Sequence, residues 1–323
     1  MTRRMLLGGL LAPMLLPGLR PARGQGVPQG APVRLVVPFA AGTTTDILGR
    51  IAAAALARGL GQPVVVDNRS GAGGTIGTAA VAQAAPDGLT LLFGTSGTMA
   101  TNPAIMPTIP YDPIRDFAPV GSVARTAVVF GVRPALGVAS LAEFLALAKR
   151  RGASVGTAGA GTTGHLTQAL LELRSGVPTT HVPYRDGARA VTDLLGGTLD
   201  AMVYHPLGFL PHIQAGSIRP LAVTGAARHF LFPEVPTMAE AGVPGVVVEG
   251  WWGLYAPART PAPLLARLNG LVGAMLADPA TLAELRRQGL EVMGGTPEAL
   301  GALTQQELKA QRELAQAAGI TAD

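Results

Sequence analysis

Val33-Arg34-Leu35-Val36-Val37-Pro38-Phe39, followed by Ala40-Ala41-Gly42-Thr43, decides how the rest of the chain is read. A nearly unbroken apolar run of this length predicts a strand buried on both faces, and the small residues behind it a tight turn. From Thr44 the period becomes helical as far as Leu60, with Ile47, Leu48, Ile51, Ala55 and Leu56 on one side. The unit then recurs. Residues 63–69 (Pro-Val-Val-Val-Asp-Asn-Arg) form a second strand, followed by Ser70-Gly71-Ala72-Gly73-Gly74 and a short Ala-rich helix. Residues 89–94 form a third, which ends in Thr95-Ser96-Gly97-Thr98. Short apolar strands alternating with helices predict an α/β protein with a parallel sheet covered on both faces.

The pattern starts again in the middle of the chain. Ser140-Leu141-Ala142-Glu143 is a capping box that opens an amphipathic helix to Arg151. A strand at 154–157 leads into Ala158-Gly159-Ala160-Gly161-Thr162-Thr163-Gly164-His165 and a helix through Arg174. Further strands are expected at 199–204 and 221–224, and helices at 263–276, 281–288 and 297–318. No low-complexity linker and no 20–50-residue repeat is present. Two α/β halves without a linker suggest lobes joined by strands that cross and return. The candidate crossings are 127–133 and 246–257, the second containing Trp251-Trp252-Gly253-Leu254-Tyr255. This makes 25–126 plus 250–323 one lobe and 127–249 the other.

Composition agrees with a folded chain: 48% of 323 residues are hydrophobic and 14% charged, which excludes disorder. The 43 glycines follow no three-residue period, which excludes collagen. Without cysteine there is no disulfide, thiolate metal site or cysteine nucleophile. A pI near 10.2 points at first to nucleic acid. Much of that charge lies in residues 1–24, where Arg3-Arg4 precede a short apolar run and Ala22 and Gly24 suit a cleavage site. These residues read as a signal peptide, too short to span a bilayer comfortably, with an arginine pair that also resembles a twin-arginine signal. Its removal takes four arginines and no acid, leaving 21 basic against 20 acidic residues. A nearly neutral exported chain has no electrostatic footprint for nucleic acid. The mature protein is expected outside the cytoplasm, in the periplasm, as a monomer.

Four Gly/Thr/Ser-rich turns follow predicted strands, at 40–45, 70–77, 94–98 and 157–164. In an open α/β sheet such turns gather at the carboxyl edge of the strands, where ligands bind. Each precedes or opens a helix, whose free N–H groups and positive dipole end attract anions. None contains Lys or Arg, so they suit a carboxylate held by neutral donors better than a polyphosphate. Any one of these turns alone is a cap; four from two halves favour an anion site between lobes. Gly71 and Gly73 begin a dinucleotide fingerprint that Ile76 breaks, and no P-loop sequence occurs. Asp46, three residues after Thr43, either completes a capping box or faces the cleft. The five histidines have no metal-ligand spacing, so no metal or other cofactor is expected. His165, in the first turn of its helix, lies within reach of a cleft ligand. A Ser/His/Asp arrangement through Ser96 is the rival reading, a secreted α/β hydrolase, although Gly94-Thr95-Ser96-Gly97 lacks the nucleophile elbow. Trp251 and Trp252 read as hinge or core aromatics.

Taken together, these residues resemble a known family. The block from Val36-Val37-Pro38-Phe39-Ala40-Ala41-Gly42 to Asp46 is followed by Leu60-Gly61-Gln62-Pro63-Val64-Val65-Val66-Asp67-Asn68-Arg69 and Gly71-Ala72-Gly73-Gly74. Ala85-Pro86-Asp87-Gly88, Pro110-Tyr111-Asp112-Pro113, His181-Val182-Pro183-Tyr184, Asp193-Leu194-Leu195-Gly196-Gly197, Pro233-Glu234-Val235-Pro236-Thr237 and Gly294-Gly295-Thr296-Pro297 come later. The set resembles the tripartite tricarboxylate transporter substrate-binding family, the Bug or TctC-like receptors, over essentially the whole mature chain. The resemblance implies a two-lobed periplasmic binding protein of the type II fold, with two crossing hinge strands and the ligand cleft between lobes. It implies a receptor, not an enzyme, that closes on a small carboxylate and delivers it to a membrane permease or, as a sensor, signals to a membrane kinase.

By that resemblance one carboxylate is held by Phe39, Ala40, Gly42, Thr43, Thr44 and Asp46 of the first loop, with Gly73 and Thr75 of the second. The other lobe contributes Thr157, Gly159, Gly161, Thr162 and Thr163, with His165 beside them. Thr95, Ser96, Tyr184, Tyr204 and His205 are candidates for the remainder of the ligand. Two positions depart from the family pattern. Thr44 or its neighbours stand where a second glycine is usual in Gly42-Thr43-Thr44-Thr45-Asp46, and His205 where an acid is common. The second change either favours a more acidic ligand or is neutral, and it removes a natural partner for a ligand ammonium.

Overall fold

Val33, Leu35 and Val37 of β1 (Val33–Val37) pack into one hydrophobic cluster while Val36 packs into another, so the apolar run alternates after all and serves both faces of its sheet. The structure, a computed structural model, describes residues 28, 30–185, 187–318 and 320. The expected signal segment, 1–24, lies outside the described residues. After β1 come α1 (Thr44–Leu60), β2 (Val64–Asn68), α2 (Thr75–Ala82), β3 (Thr90–Thr95), α3 (Asn102–Ile105) and β4 (Phe117–Ala127). The next stretch holds β5 (Val129–Val132), α4 (Leu141–Arg151), β6 (Ser154–Thr157), α5 (Thr163–Ser175), β7 (Thr180–Pro183), α6 (Gly187–Gly196), β8 (Ala201–Tyr204), α7 (Pro206–Gln214) and β9 (Arg219–Val223). The chain finishes with β10 (Glu249–Pro257), α8 (Ala262–Ala277), α9 (Pro279–Arg287), β11 (Glu291–Val292) and α10 (Pro297–Ala318).

The strands form two sheets, ordered β11-β4-β10-β3-β1-β2 and β7-β6-β8-β5-β9. Each holds a parallel trio, β2-β1-β3 and β7-β6-β8, matching the alternation of strand and helix. The sheets are mixed rather than purely parallel, because β10 runs antiparallel to β3 and β4, and β5 antiparallel to β8 and β9. The antiparallel strands are the ones that carry the chain between sheets. Helices cover both faces of each sheet. On the first, α1, α8 and α9 bury Leu48, Leu56, Leu268 and Leu285 on one face, and α10 places Leu300 on the other. On the second, α4 and α5 contribute Phe144 and Leu170 to one face, α6 and α7 Leu194 and Phe209 to the other. No helix among the described residues is long and apolar enough to cross a membrane.

Thr224 joins the two crossings. The first runs from β4 through Val128 into β5; the second arrives at Val248 before β10. Thr224 N donates to Val128 O (3.0 Å), and Val248 N donates to Thr224 O (3.1 Å). The Thr224 hydroxyl, fully buried, accepts from Val128 N at 2.9 Å and donates to Val248 O at 2.5 Å. A buried carbonyl or amide left without its partner costs about 1–3 kcal/mol. Thr224→Val is therefore expected to lower the unfolding free energy by about that amount in urea titrations, and Thr224→Ser to stay close to wild type.

Candidate ligand cleft between the sheets

The loop between β1 and α1 is built from its own hydrogen bonds. Thr43 caps α1: its Oγ1 accepts from Asp46 N (3.3 Å) and donates to Ala40 O (2.8 Å). The buried Asp46 carboxylate accepts at Oδ2 from Gly42 N (2.8 Å) and Arg50 Nε (3.0 Å), and at Oδ1 from Asn68 Nδ2 (2.9 Å). The same Asn68 amide group donates to Phe39 O at 3.1 Å. Burial by itself raises the Asp46 pKa, but the bonds from Arg50, Gly42 and Asn68 outweigh it and hold the carboxyl below its usual range. Both oxygens thus accept bonds that brace the loop. The loop presents Thr44 and Thr45 instead. As the first residues of α1, their amides have no intrahelical acceptor. Thr45 Oγ1 accepts from Trp252 Nε1 (3.0 Å), whereas Thr44 Oγ1 is buried without a partner among the described residues.

Thr44 faces a cavity between the two sheets. One side is lined by Phe39, Thr43, Thr44, Thr45, Thr95, Ser96, Gly97, Trp251 and Trp252, and the other by Ala158, Thr162, Thr163, Gly164, Arg185, Gly187, Val203, Tyr204 and His205, with Gly250 between. Four helices begin at this cavity: α1 at Thr44, α5 at Thr163 behind its cap Thr162, α6 at Gly187, and α7 just after its cap His205. Their positive dipole ends come from both halves of the chain and supply anion attraction without a cation at the inner end. Around the cavity the halves meet through glycine. A Cβ on Gly73 (φ 61°) would lie 2.5 Å from Ala160 O, and one on Gly161 (φ 71°) would overlap Asn102 Oδ1.

Of the residues expected from sequence, Phe39, Thr43, Thr44, Thr95, Ser96, Thr162, Thr163, Tyr204 and His205 line this cavity. Gly73, Gly159 and Tyr184 line an outer groove that shares Phe39, Ala158 and Arg185 with it. Tyr184 directs its hydroxyl to Asp193 (2.8 Å). Ala40, Gly42, Asp46, Thr75, Thr157, Gly161 and His165 stand off both linings. His165 Nδ1 accepts from Gly161 N (3.1 Å), and its ring stacks on His181 with centroids 4.2 Å apart. His181 Nε2 lies 2.7 Å from Thr157 Oγ1. The pair therefore props the 157–164 loop from behind. Thr45, Arg185 and the two tryptophans were missed as lining residues. Trp251 and Trp252 are core aromatics, as their composition suggested, and they also form a cavity wall. No hydrogen bond joins Ser96 to a histidine, and no group of three His, Cys, Asp or Glu side chains is placed to hold a metal, among the described residues.

Burial pushes the His205 pKa down to about 4, and burial with the nearby His165 does the same for His181. Burial also lowers His165 and His229. Each is neutral in the folded protein at pH 7. For His205 and His181 the unfolded chain takes up its proton near pH 6.5 and the folded chain only at about 4, so stability falls as pH drops through that window, and the lowered His165 and His229 act in the same direction. Urea unfolding between pH 6.5 and 4.5 should show a loss approaching about 1.4 kcal/mol per pH unit for each of His205 and His181. A flat profile across that window would mean that the rings are solvated.

The chain was compared with known proteins. Residues 48–320 match the model for the tripartite tricarboxylate transporter family receptor. The protein BugT of Bordetella pertussis is 38% identical over 270 residues, covering 83% of each chain. Among solved structures, an R. palustris protein with adipate is 38% identical with a TM-score of 0.87, covering 91% of this chain and 99% of that one. MatC from Rhodopseudomonas palustris with bound malate is 33% identical with a TM-score of 0.84, covering 88% and 99%.

Proposed function

The chain belongs to the tripartite tricarboxylate transporter receptor family, and from that premise we propose that it is a periplasmic receptor whose two lobes close on a small carboxylate for delivery to a membrane permease. The lobes are 25–126 with 250–323, and 127–249. One observation carries the ligand class. Thr44 Oγ1, a buried donor without a partner, stands where four helix N-termini converge and where no acidic side chain lies among the described lining residues. A carboxylate there takes charge-assisted hydrogen bonds from the hydroxyl and the free amides, worth about 1.5–3 kcal/mol each. Adipate and malate, the ligands of the two solved relatives, belong to the same chemical class. The Ser96 hydrolase reading lacks a histidine bonded to that serine, and the histidines nearest the cleft are engaged with Thr163, Gly161 and Thr157. Export is supported by the arginine pair and apolar run of the first 24 residues.

Binding acts by selection of the closed arrangement. The ligand stabilises it only to the extent that donors from both lobes reach the ligand together. The glycine contacts at Gly73 and Gly161 permit that approach, since a side chain at either position would hold the lobes apart.

Two substitutions separate binding from folding. Thr44→Val removes an unpartnered hydroxyl at nearly constant volume, so the free protein should keep its melting temperature or gain slightly. Its carboxylate affinity by calorimetry should fall about 10-fold or more. Unchanged affinity would remove Thr44 from the anchor. Gly161→Ala should leave each lobe folded yet block closure, so ligand addition no longer reduces the radius of gyration by small-angle scattering. Compaction equal to wild type would show that this contact does not govern closure.

A further inference from the structure

A second cavity adjoins the ligand cleft and shares Ser96, Thr163 and Trp251 with it. One side is a face of α10, where Leu303, Glu307, Gln311 and Leu314 recur at helical spacing. Leu166 and Leu170 of α5 form the other side, and Val248 and Glu249 run between the two helices into β10. The described charged side chains of the lining are Arg125, Glu249 and Glu307. Arg125 is already shared by two acids, lying 3.6 Å from Glu249 and 3.2 Å from Glu291. Glu307 has no ion pair among the described residues. Burial and then the nearby Glu249 push its pKa up, against a bond from Gln311 that lowers it.

The neutral polar groups of the same lining are also unfilled. Gln311 Oε1 is buried without a partner among the described residues. Thr101, only 1% exposed, stands at the N-cap of α3 without a side-chain cap bond. A half-buried carboxylate without a counter-charge is costly, and a cation beside it offsets that cost. An anion would meet two carboxylates and an arginine already engaged. A metal ion would lack ligands, since no group of three His, Cys, Asp or Glu side chains could hold one among the described residues. An ammonium carries three N–H donors for carboxylate, amide and hydroxyl oxygens, and the leucine walls suit an alkyl chain. We propose that this cavity is a second binding site, for a small primary alkylammonium whose charge pairs with Glu307. The site is separate from the carboxylate reading above and does not depend on it.

The test is calorimetry on the mature chain at neutral pH with n-butylammonium chloride, against n-butanol and potassium chloride as controls. Wild type should bind one butylammonium per chain, at least about tenfold more tightly than butanol. Glu307→Gln should lose that binding while keeping or raising the melting temperature, because it removes an unmatched carboxylate. Ala310→Lys, on the exposed edge of the same α10 face, places an ammonium three residues from Glu307 and should compete with the ligand. Absence of butylammonium binding in wild type would overturn the site, as would affinity that survives Glu307→Gln in a folded variant. Equal binding of butanol, or displacement of butylammonium by an equal concentration of potassium, would overturn the ammonium assignment.

Discussion

The buried carboxylate of Asp46 draws Gly42, Arg50 and Asn68 onto one point, and Asn68 in turn holds Phe39 O. Through these bonds the end of β1, the end of β2 and the first turn of α1 become one rigid unit. Among the described residues the hydroxyl of Thr44 is left without a partner, and the amides of Thr44 and Thr45, in the first turn of α1, have no intrahelical acceptor. The rest of the cleft follows from this geometry. Trp252 on the crossing strand β10 bonds to Thr45, so the hinge is tied to the anchor. The opposite wall repeats the device, with the 157–164 loop held from behind by His165 and His181 and the N-terminus of α5 turned inward.

A cleft built from helix ends and hydroxyls has a particular electrostatic character. It attracts an anion through dipoles fixed in the backbone, which neither titrate nor swing away. A titrating histidine in the wall would make that attraction depend on pH, yet burial keeps His205 neutral, its ring set against Trp252 at 5.0 Å and its Nε2 3.3 Å from Thr163 Oγ1. The cavity thereby offers a neutral inner end, apolar walls and one guanidinium at the mouth.

Much of this was legible in the residues. β1, β2, β3, α1 and α10 fall within two residues of where period and composition put them, because each is a long apolar run or a long amphipathic one. β4, α6 and α7 were not recognised. Pro119 and Gly121 interrupt β4, whose pairing to β10 also contains register shifts, and Pro211 sits inside α7. These elements are specified by their neighbours rather than by their own pattern. The anion turns could be read from glycine, threonine and serine after strands, and the crossings from apolar stretches without a linker. Side-chain direction could not. Asp46 carries two meanings in the sequence alone, and His165 faces Gly161 and His181. Arg185 was hidden because cations were sought only within the four turns, whereas it follows His181-Val182-Pro183-Tyr184 at the end of another strand.

The central claim is that a carboxylate, and not merely a small polar molecule, is what the convergent helix ends hold. A thermal-shift screen of the mature chain against carboxylic acids and their matching primary amides tests this most directly, since each pair differs chiefly in the charge of the anchored group. At least one acid should raise the melting temperature in a concentration-dependent way while its amide leaves it unchanged. Amides that stabilise as well as their acids, or a panel in which no acid stabilises at all, would contradict it.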